Sequence, residues 1–155
     1  MLTIKLPDGS KREYKSPVTG EFIANEISKS LAKEAVAVSV DGKFWDLSRD
    51  ITTDASVEVI KRDSPEGLEI LRHDAAHILA EAVKELWPET QVTIGPAIDN
   101  GFYYDFARDD PFTPEDLEII AERMLEIVKR DEPITREVWK RKTAIDFFRK
   151  TGEEY

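Results

Sequence analysis

LEILRHDAAHILAEAVKELWP at residues 68–88 and VTIGPAIDNGFYYDF at residues 92–106 decide how this chain is read. The first segment has helical periodicity: at roughly 100° per residue, Leu71, Ala75, Ile78, Leu79, Ala82 and Leu86 fall on one stripe. His73 and His77 are the only histidines in the chain, and they stand off that stripe, four residues apart. Such spacing projects both rings from neighbouring turns on one side of the helix. Ala76 and Ala80 lie beside them with small side chains, so this side reads as a pocket wall. Simple solvation of the two histidines is an equally good reading of the spacing alone. Trp87-Pro88 ends the helix, because proline disfavours a helical residue before it.

In the second segment, residues 92–94 read as a strand, Gly95-Pro96 interrupts it, and Asn100-Gly101 signals a hairpin ahead of Phe102, Tyr103, Tyr104 and Phe106. Three aromatics in succession must occupy both faces of a strand. Either both faces are buried, or one tyrosine lines the histidine pocket.

Before this region, Leu2, Ile4 and Leu6 alternate with polar residues, and PDGS at 7–10 turns the chain into residues 11–14, which makes a hairpin. Thr19 is placed to cap a helix that carries Phe22, Ile23, Ile27 and Leu31. Val36, Val38 and Val40 then alternate up to Asp41-Gly42, with a last strand at 57–60. Strands around one helix in some sixty residues suggest the ubiquitin-like β-grasp arrangement. Residues 63–67, DSPEG, form a polar break, and the domain boundary is placed there.

After the hairpin, Thr113-Pro114-Glu115-Asp116 starts a helix with a capping residue, a proline in the first turn and two carboxylates at its positive end. Leu117, Ile120, Met124, Ile127 and Val128 supply its buried stripe, and Glu132-Pro133 ends it. Residues 134–139 read as a strand, Lys140-Arg141-Lys142 as a basic surface turn, and 143–150 as a short helix before Gly152.

The formal net charge of −10 is unevenly spread: residues 1–62 are balanced, and the whole acidic excess falls after them. That argues for two domains and against a broad phosphate-binding face on the second, while leaving room for a pocket that takes one nucleotide end. The chain has no cysteine, which excludes disulfides and thiolate metal sites within it. The N-terminus lacks an apolar signal core and no stretch reaches membrane-span length, so a cytoplasmic protein without membrane contact is expected.

A His-x-x-x-His helix first suggests zinc. The zincin hydrolase motif, however, has Glu directly after the first histidine, where this chain has Asp74, and no third ligand stands at a useful spacing.

Taken together, LRHDAAHILAEAVKELWP and IGPAIDNGFYYDF resemble the editing domain of bacterial-type threonyl-tRNA synthetases, and the first 62 residues, with LPDGS near the start, resemble the TGS domain that precedes it there. TGS domains also occur in some GTPases and stringent-response proteins, so the histidine helix and its hairpin carry most of the specificity. The resemblance implies an α+β chain: a ubiquitin-like β-grasp TGS domain at 1–62, then the first portion of an incomplete α+β editing domain at 63–155. It implies an N-terminal piece of an aminoacyl-tRNA ligase that contributes to binding of the tRNA(Thr) acceptor end and to hydrolysis of mischarged seryl-tRNA, with the seryl-adenosine ester in the pocket; alone, the piece is expected neither to charge tRNA nor to edit well. Editing is needed because serine lacks only one methyl group of threonine, worth roughly 1–3 kcal/mol in a binding site.

His73 and His77 match the family's histidine pair and are the expected acid/base or water-positioning groups. Gly95, Asn100 and Tyr104 belong to the second matching motif and are candidates for adenosine or seryl contact, with hairpin core and turn as their alternative roles. The family pattern continues with a Cys-x-x-x-His element that these residues do not contain. No metal or cofactor is therefore expected here. ATP, magnesium and zinc belong to a catalytic domain outside these residues, in a homodimeric enzyme. Two other readings stay open: a TGS-containing module that binds RNA or a partner without catalysis, and a metallohydrolase.

Overall fold

The computed structural model describes residues 1–154. Its elements in chain order are β1 (Leu2–Lys5), β2 (Lys11–Tyr14), β3 (Val18–Thr19), α1 (Gly20–Ile27), α2 (Lys29–Glu34), β4 (Ala35–Val40), β5 (Lys43–Trp45), β6 (Asp50–Ile51) and β7 (Ala55–Lys61). There follow α3 (Pro65–Leu86), β8 (Gln91–Ile94), β9 (Ala97–Ile98), β10 (Gly101–Phe102), β11 (Asp105–Ala107), α4 (Pro114–Arg130) and α5 (Arg141–Lys150). The chain divides into two compact units, Met1–Leu71 and a second that begins at Arg72, with the division inside α3.

In the first unit, β1, β2, β4, β5 and β7 form one mixed sheet in the order β2-β1-β7-β4-β5, with β1 parallel to β7 and the other neighbours antiparallel. The alternation at the N-terminus does what its pattern predicts: Leu2, Ile4 and Leu6 enter the core and Lys5 faces solvent. Ile23 of α1 packs with Val38, Ile51 and Val57 in that core, each side chain almost fully buried and worth ~1.5–3 kcal/mol of transfer free energy. The strands-around-a-helix arrangement expected from the sequence is present.

One helix was expected after Thr19, but two form. Thr19 does cap α1, accepting from the Phe22 N–H at 3.2 Å. Ser28 then breaks the run in an extended conformation: its N–H donates to the Ala24 carbonyl at 3.0 Å, and its Oγ accepts from the Leu31 N–H at 3.0 Å. One serine thus closes α1 and opens α2. The polar stretch 63–67 is likewise shorter as a break than expected, because Ser64 caps α3 by accepting from the Gly67 N–H at 3.0 Å, and Pro65-Glu66-Gly67 are its first turn. Gly67 is required there, since a Cβ would stand 1.9 Å from the Lys61 carbonyl oxygen.

In the second unit, Ala82 and Val83 of α3 pack with Ile120 and Ile127 of α4, joined by Ile78, Leu79, Leu86, Trp87, Phe106, Phe112 and Met124. Thr113 and Asp116 form the reciprocal capping box of α4, at 3.3 and 2.8 Å. The buried face of α4 is narrower than its sequence stripe, for Leu117 and Val128 are exposed. Glu85 of α3 receives both Arg123 at 3.0 Å and Arg130 at 2.5 and 2.8 Å, which pins the two helices side by side. Those hydrogen bonds, from Arg130 first and Arg123 second, hold the Glu85 carboxyl down at about 2.

The C-terminal expectations need two corrections. Residues 134–139 do not form a strand: no strand among the described residues pairs with them, and Ile134 and Val138 are exposed. Lys140-Arg141-Lys142 is not a turn, because Lys140 occupies the N-cap of α5 and the other two residues are helical.

Candidate functional site

His73 and His77 project from adjacent turns of α3 as the four-residue spacing requires, both exposed. Their Nε2 atoms are 3.0 Å apart and the rings meet edge-on, with centroids at 4.7 Å and planes at 75°. A hydrogen bond between two imidazole Nε2 atoms fixes complementary tautomers. In the neutral pair, the ring that donates its Nε2–H keeps an unprotonated Nδ1, and the ring that accepts carries its proton on Nδ1. One Nδ1 is then a base and the other an acid, on two rings that are both exposed on the helix. A pair of that kind can take a proton from water at one nitrogen and deliver one to a leaving oxygen at the other.

The flanking alanines play a different part from the one their size suggested. Ala76 is 1% and Ala80 8% exposed, so they are packed positions and not an open pocket wall. The buried arc of α3 extends from the expected stripe round to Ala76, Ala80 and Val83, while Leu71 on that stripe is exposed.

Gly95 and Tyr104 are brought together. A Cβ at residue 95 would stand 2.0 Å from Tyr104 Cδ2, so the tyrosine ring lies flat on the glycine. Tyr104 also stacks on Phe106 at 4.9 Å and 21°, and burial pushes its phenol up from the ordinary tyrosine value. Along this stretch the alternation is regular after all: Phe102, Tyr104 and Phe106 turn inward, and Tyr103 and Asp105 outward. The expectation that both faces are buried fails at Tyr103, which is 47% exposed. Asn100 is exposed and, with Asp99, forms the two-residue link between β9 and β10, whose register pairs Ile98 with Gly101. Among the described residues, no hydrogen bond or ring contact joins the histidine pair to Gly95, Asn100 or Tyr104.

Neither histidine lines the cavity of about 570 Å³ in this unit, which is bounded by Trp87, Thr90, Gln91, Phe106, Arg108 and Glu154 among others. Arg108 is a residue the sequence reading passed over. Its guanidinium lies 4.3 Å from the Phe112 ring centroid and 4.9 Å from that of Trp87, and its Nη1 is buried without a hydrogen-bond partner. In sequence it stands directly before Asp109-Asp110, with nothing local to mark it. Among the described residues, no three His, Asp or Glu side chains gather as a metal-ligand set, and no helix is long and apolar enough to cross a membrane.

Comparison with known proteins agrees with the fold of the first unit and extends beyond it. Residues 2–61 match the TGS domain. Over all 155 residues the chain is 64% identical to a threonine–tRNA ligase of Rhodospirillum rubrum, 59% to one of Parvibaculum lavamentivorans and 58% to one of Granulibacter bethesdensis. It spans 24% of the length of each of these relatives. The chain therefore carries a TGS domain, and its whole length is similar to the N-terminal part of bacterial threonine–tRNA ligases.

Proposed function

We propose that this chain is the N-terminal, tRNA-binding and editing portion of a threonine–tRNA ligase, and that residues from 63 onward contribute to hydrolysis of seryl-tRNA(Thr). The observation that carries this is the exposed His73–His77 pair, 3.0 Å apart, in a chain 64% identical over its full length to such a ligase. Ester hydrolysis needs a proton taken from the attacking water and a proton given to the departing ribose oxygen. The complementary tautomers of the pair supply one group for each task. A methyl-sized difference between threonine and serine is too small for one binding site to resolve, which is the reason for a second, hydrolytic site.

The substrate in this reading is the tRNA acceptor end with its seryl-adenosine ester. ATP and magnesium serve the aminoacylation site of the same cytoplasmic, homodimeric ligase, which lies outside these residues, as does its zinc. Gly95, Tyr104 and Asn100 fall into two roles. The first two are a packing unit of the hairpin, and Asn100, exposed in its turn, is the one free to meet substrate.

The test is deacylation of seryl-tRNA(Thr) by the ligase that carries this sequence. His73→Ala with His77→Ala should abolish the hydrolysis and leave threonylation intact. Normal editing by the double variant refutes the site, and tRNA binding without any hydrolysis makes the chain a binding module.

A further inference from the structure

The Nε2 atoms of His73 and His77 are 3.0 Å apart, and that spacing suits a metal ion as well as a proton. Two imidazoles bound to one ion aim both lone pairs at a single centre. With metal–nitrogen bonds of about 2.0–2.1 Å, nitrogens 3.0 Å apart subtend about 95° at that centre. Each ring centre lies about 1.15 Å behind its nitrogen, so rings aimed in this way have centroids about 4.7 Å apart. The observed separation is 4.7 Å. A tetrahedral ion opens the angle to about 109° and needs nitrogens about 3.3 Å and centroids about 5.2 Å apart. Both observed distances therefore fit the cis angle of a square or octahedral ion, not the tetrahedral one.

The surroundings suit a two-ligand chelate and no more. The four-residue spacing on one helix holds the bite without help from another segment. Asp74 is turned about 100° round that helix from His73. Glu81, next along the histidine row, has its carboxylate 3.8 Å from the Arg130 guanidinium. Among the described residues no third His, Asp or Glu joins the pair, so water completes the coordination sphere. Two imidazole nitrogens at a cis angle, with no thiolate, favour Cu²⁺ and then Ni²⁺, and Cu²⁺ heads the affinity order of the divalent ions.

We propose that His73 and His77 form a chelate for a tetragonal divalent ion, Cu²⁺ above all, and that this ion inhibits the site and is no cofactor of it. The metal takes both Nε2 lone pairs, so each neutral ring carries its proton on Nδ1. The complementary tautomers of the free pair are lost. Two Nδ1–H donors remain and no base, and the pair can no longer take a proton from water. The inhibition rests on the editing role proposed above; the chelate does not.

The 155-residue chain suits the test, because it has no cysteine and no other histidine. Calorimetric titration with copper(II) chloride, in glycine buffer as a weak competitor, should show one ion per chain. Substoichiometric Cu²⁺ should broaden the imidazole proton resonances of both histidines together. His77→Asn should weaken binding at least about tenfold, the least that an outer-shell change costs a metal site. Asp74→His combined with His77→Asn keeps two imidazoles but sets them on different sides of the helix, and should bind no better than His77→Asn. Recovery of binding in that variant, Zn²⁺ held as tightly as Cu²⁺, broadening of one histidine alone, or equal binding by His73→Ala/His77→Ala overturns the chelate. In the ligase that carries this sequence, Cu²⁺ should slow hydrolysis of seryl-tRNA(Thr) at least about a hundredfold, and chelation by EDTA should restore it. Faster hydrolysis with Cu²⁺ overturns the inhibition. Unchanged hydrolysis with both histidines saturated leaves the chelate standing and refutes the acid/base role of the pair.

Discussion

Replacing Gly95 by alanine tests whether Tyr104 is a packing residue or a free recognition group. The new Cβ would stand 2.0, 2.3 and 2.6 Å from Cδ2, Cε2 and Cγ of Tyr104, where ordinary contact begins at 3.4 Å, so the ring must retreat by about 1.4 Å. It has little room to do so. Tyr104 is stacked on Phe106 at 4.9 Å, Phe106 meets Phe112 at 5.8 Å, and Phe112 meets Trp87 at 5.5 Å, so the push is handed along a row of rings into the core. Overpacking of this kind costs ~1–3 kcal/mol. For a unit of this size each kcal/mol lowers the melting temperature by about 4–8 °C. The assay is thermal unfolding followed by near-ultraviolet circular dichroism, run as a cycle with Tyr104→Ala. With the ring gone, Gly95→Ala should cost almost nothing. An unchanged midpoint in Gly95→Ala, or the same loss in both backgrounds, refutes the packing argument.

Two further predictions concern α4. Glu85→Gln removes a carboxylate held at about 2 by Arg130 and Arg123. A depressed carboxyl contributes its stability above the unfolded value of 4.5 and loses it as the pH falls from there towards 2. The variant should therefore unfold at lower denaturant than the wild type at neutral pH, with the gap closing in that acid window; a gap independent of pH contradicts the assignment. Thr113→Ala breaks the capping box and should cost ~1 kcal/mol, seen as faster amide exchange in the first turn of α4, and unchanged exchange there would count against it.

How much the sequence shows depends on whether the signal is local. The capping residues Thr19 and Thr113, the alternation at Leu2, Ile4 and Leu6, and the four-residue spacing of the histidines are contained in a few neighbouring positions, and all appear as expected. Ser28 and Pro65 were misjudged because both a continuing helix and its interruption suit the same residues; capping hydrogen bonds decide between them. Residues 134–139 failed as a strand because a strand needs a pairing partner, and no short run of residues names one. The burial of Ala76 and Ala80 and the seat of Tyr104 on Gly95 depend on segments distant in sequence, so no window around either residue contains them. Arg108 was illegible for the same reason, since the rings beside it come from Trp87 and Phe112.

The way α5 is fastened has a mechanical consequence. No residue of this helix is buried, and the segment before it makes no strand pairing. Just beyond its C-terminal end, Gln91 donates to the Gly152 carbonyl at 3.1 Å and accepts from the Glu154 N–H at 3.0 Å, while Glu153 meets Lys84 at 2.7 Å. One residue of β8 therefore carries two of these three ties: Gln91→Ala releases both hydrogen bonds at once, whereas Lys84→Met releases only the ion pair.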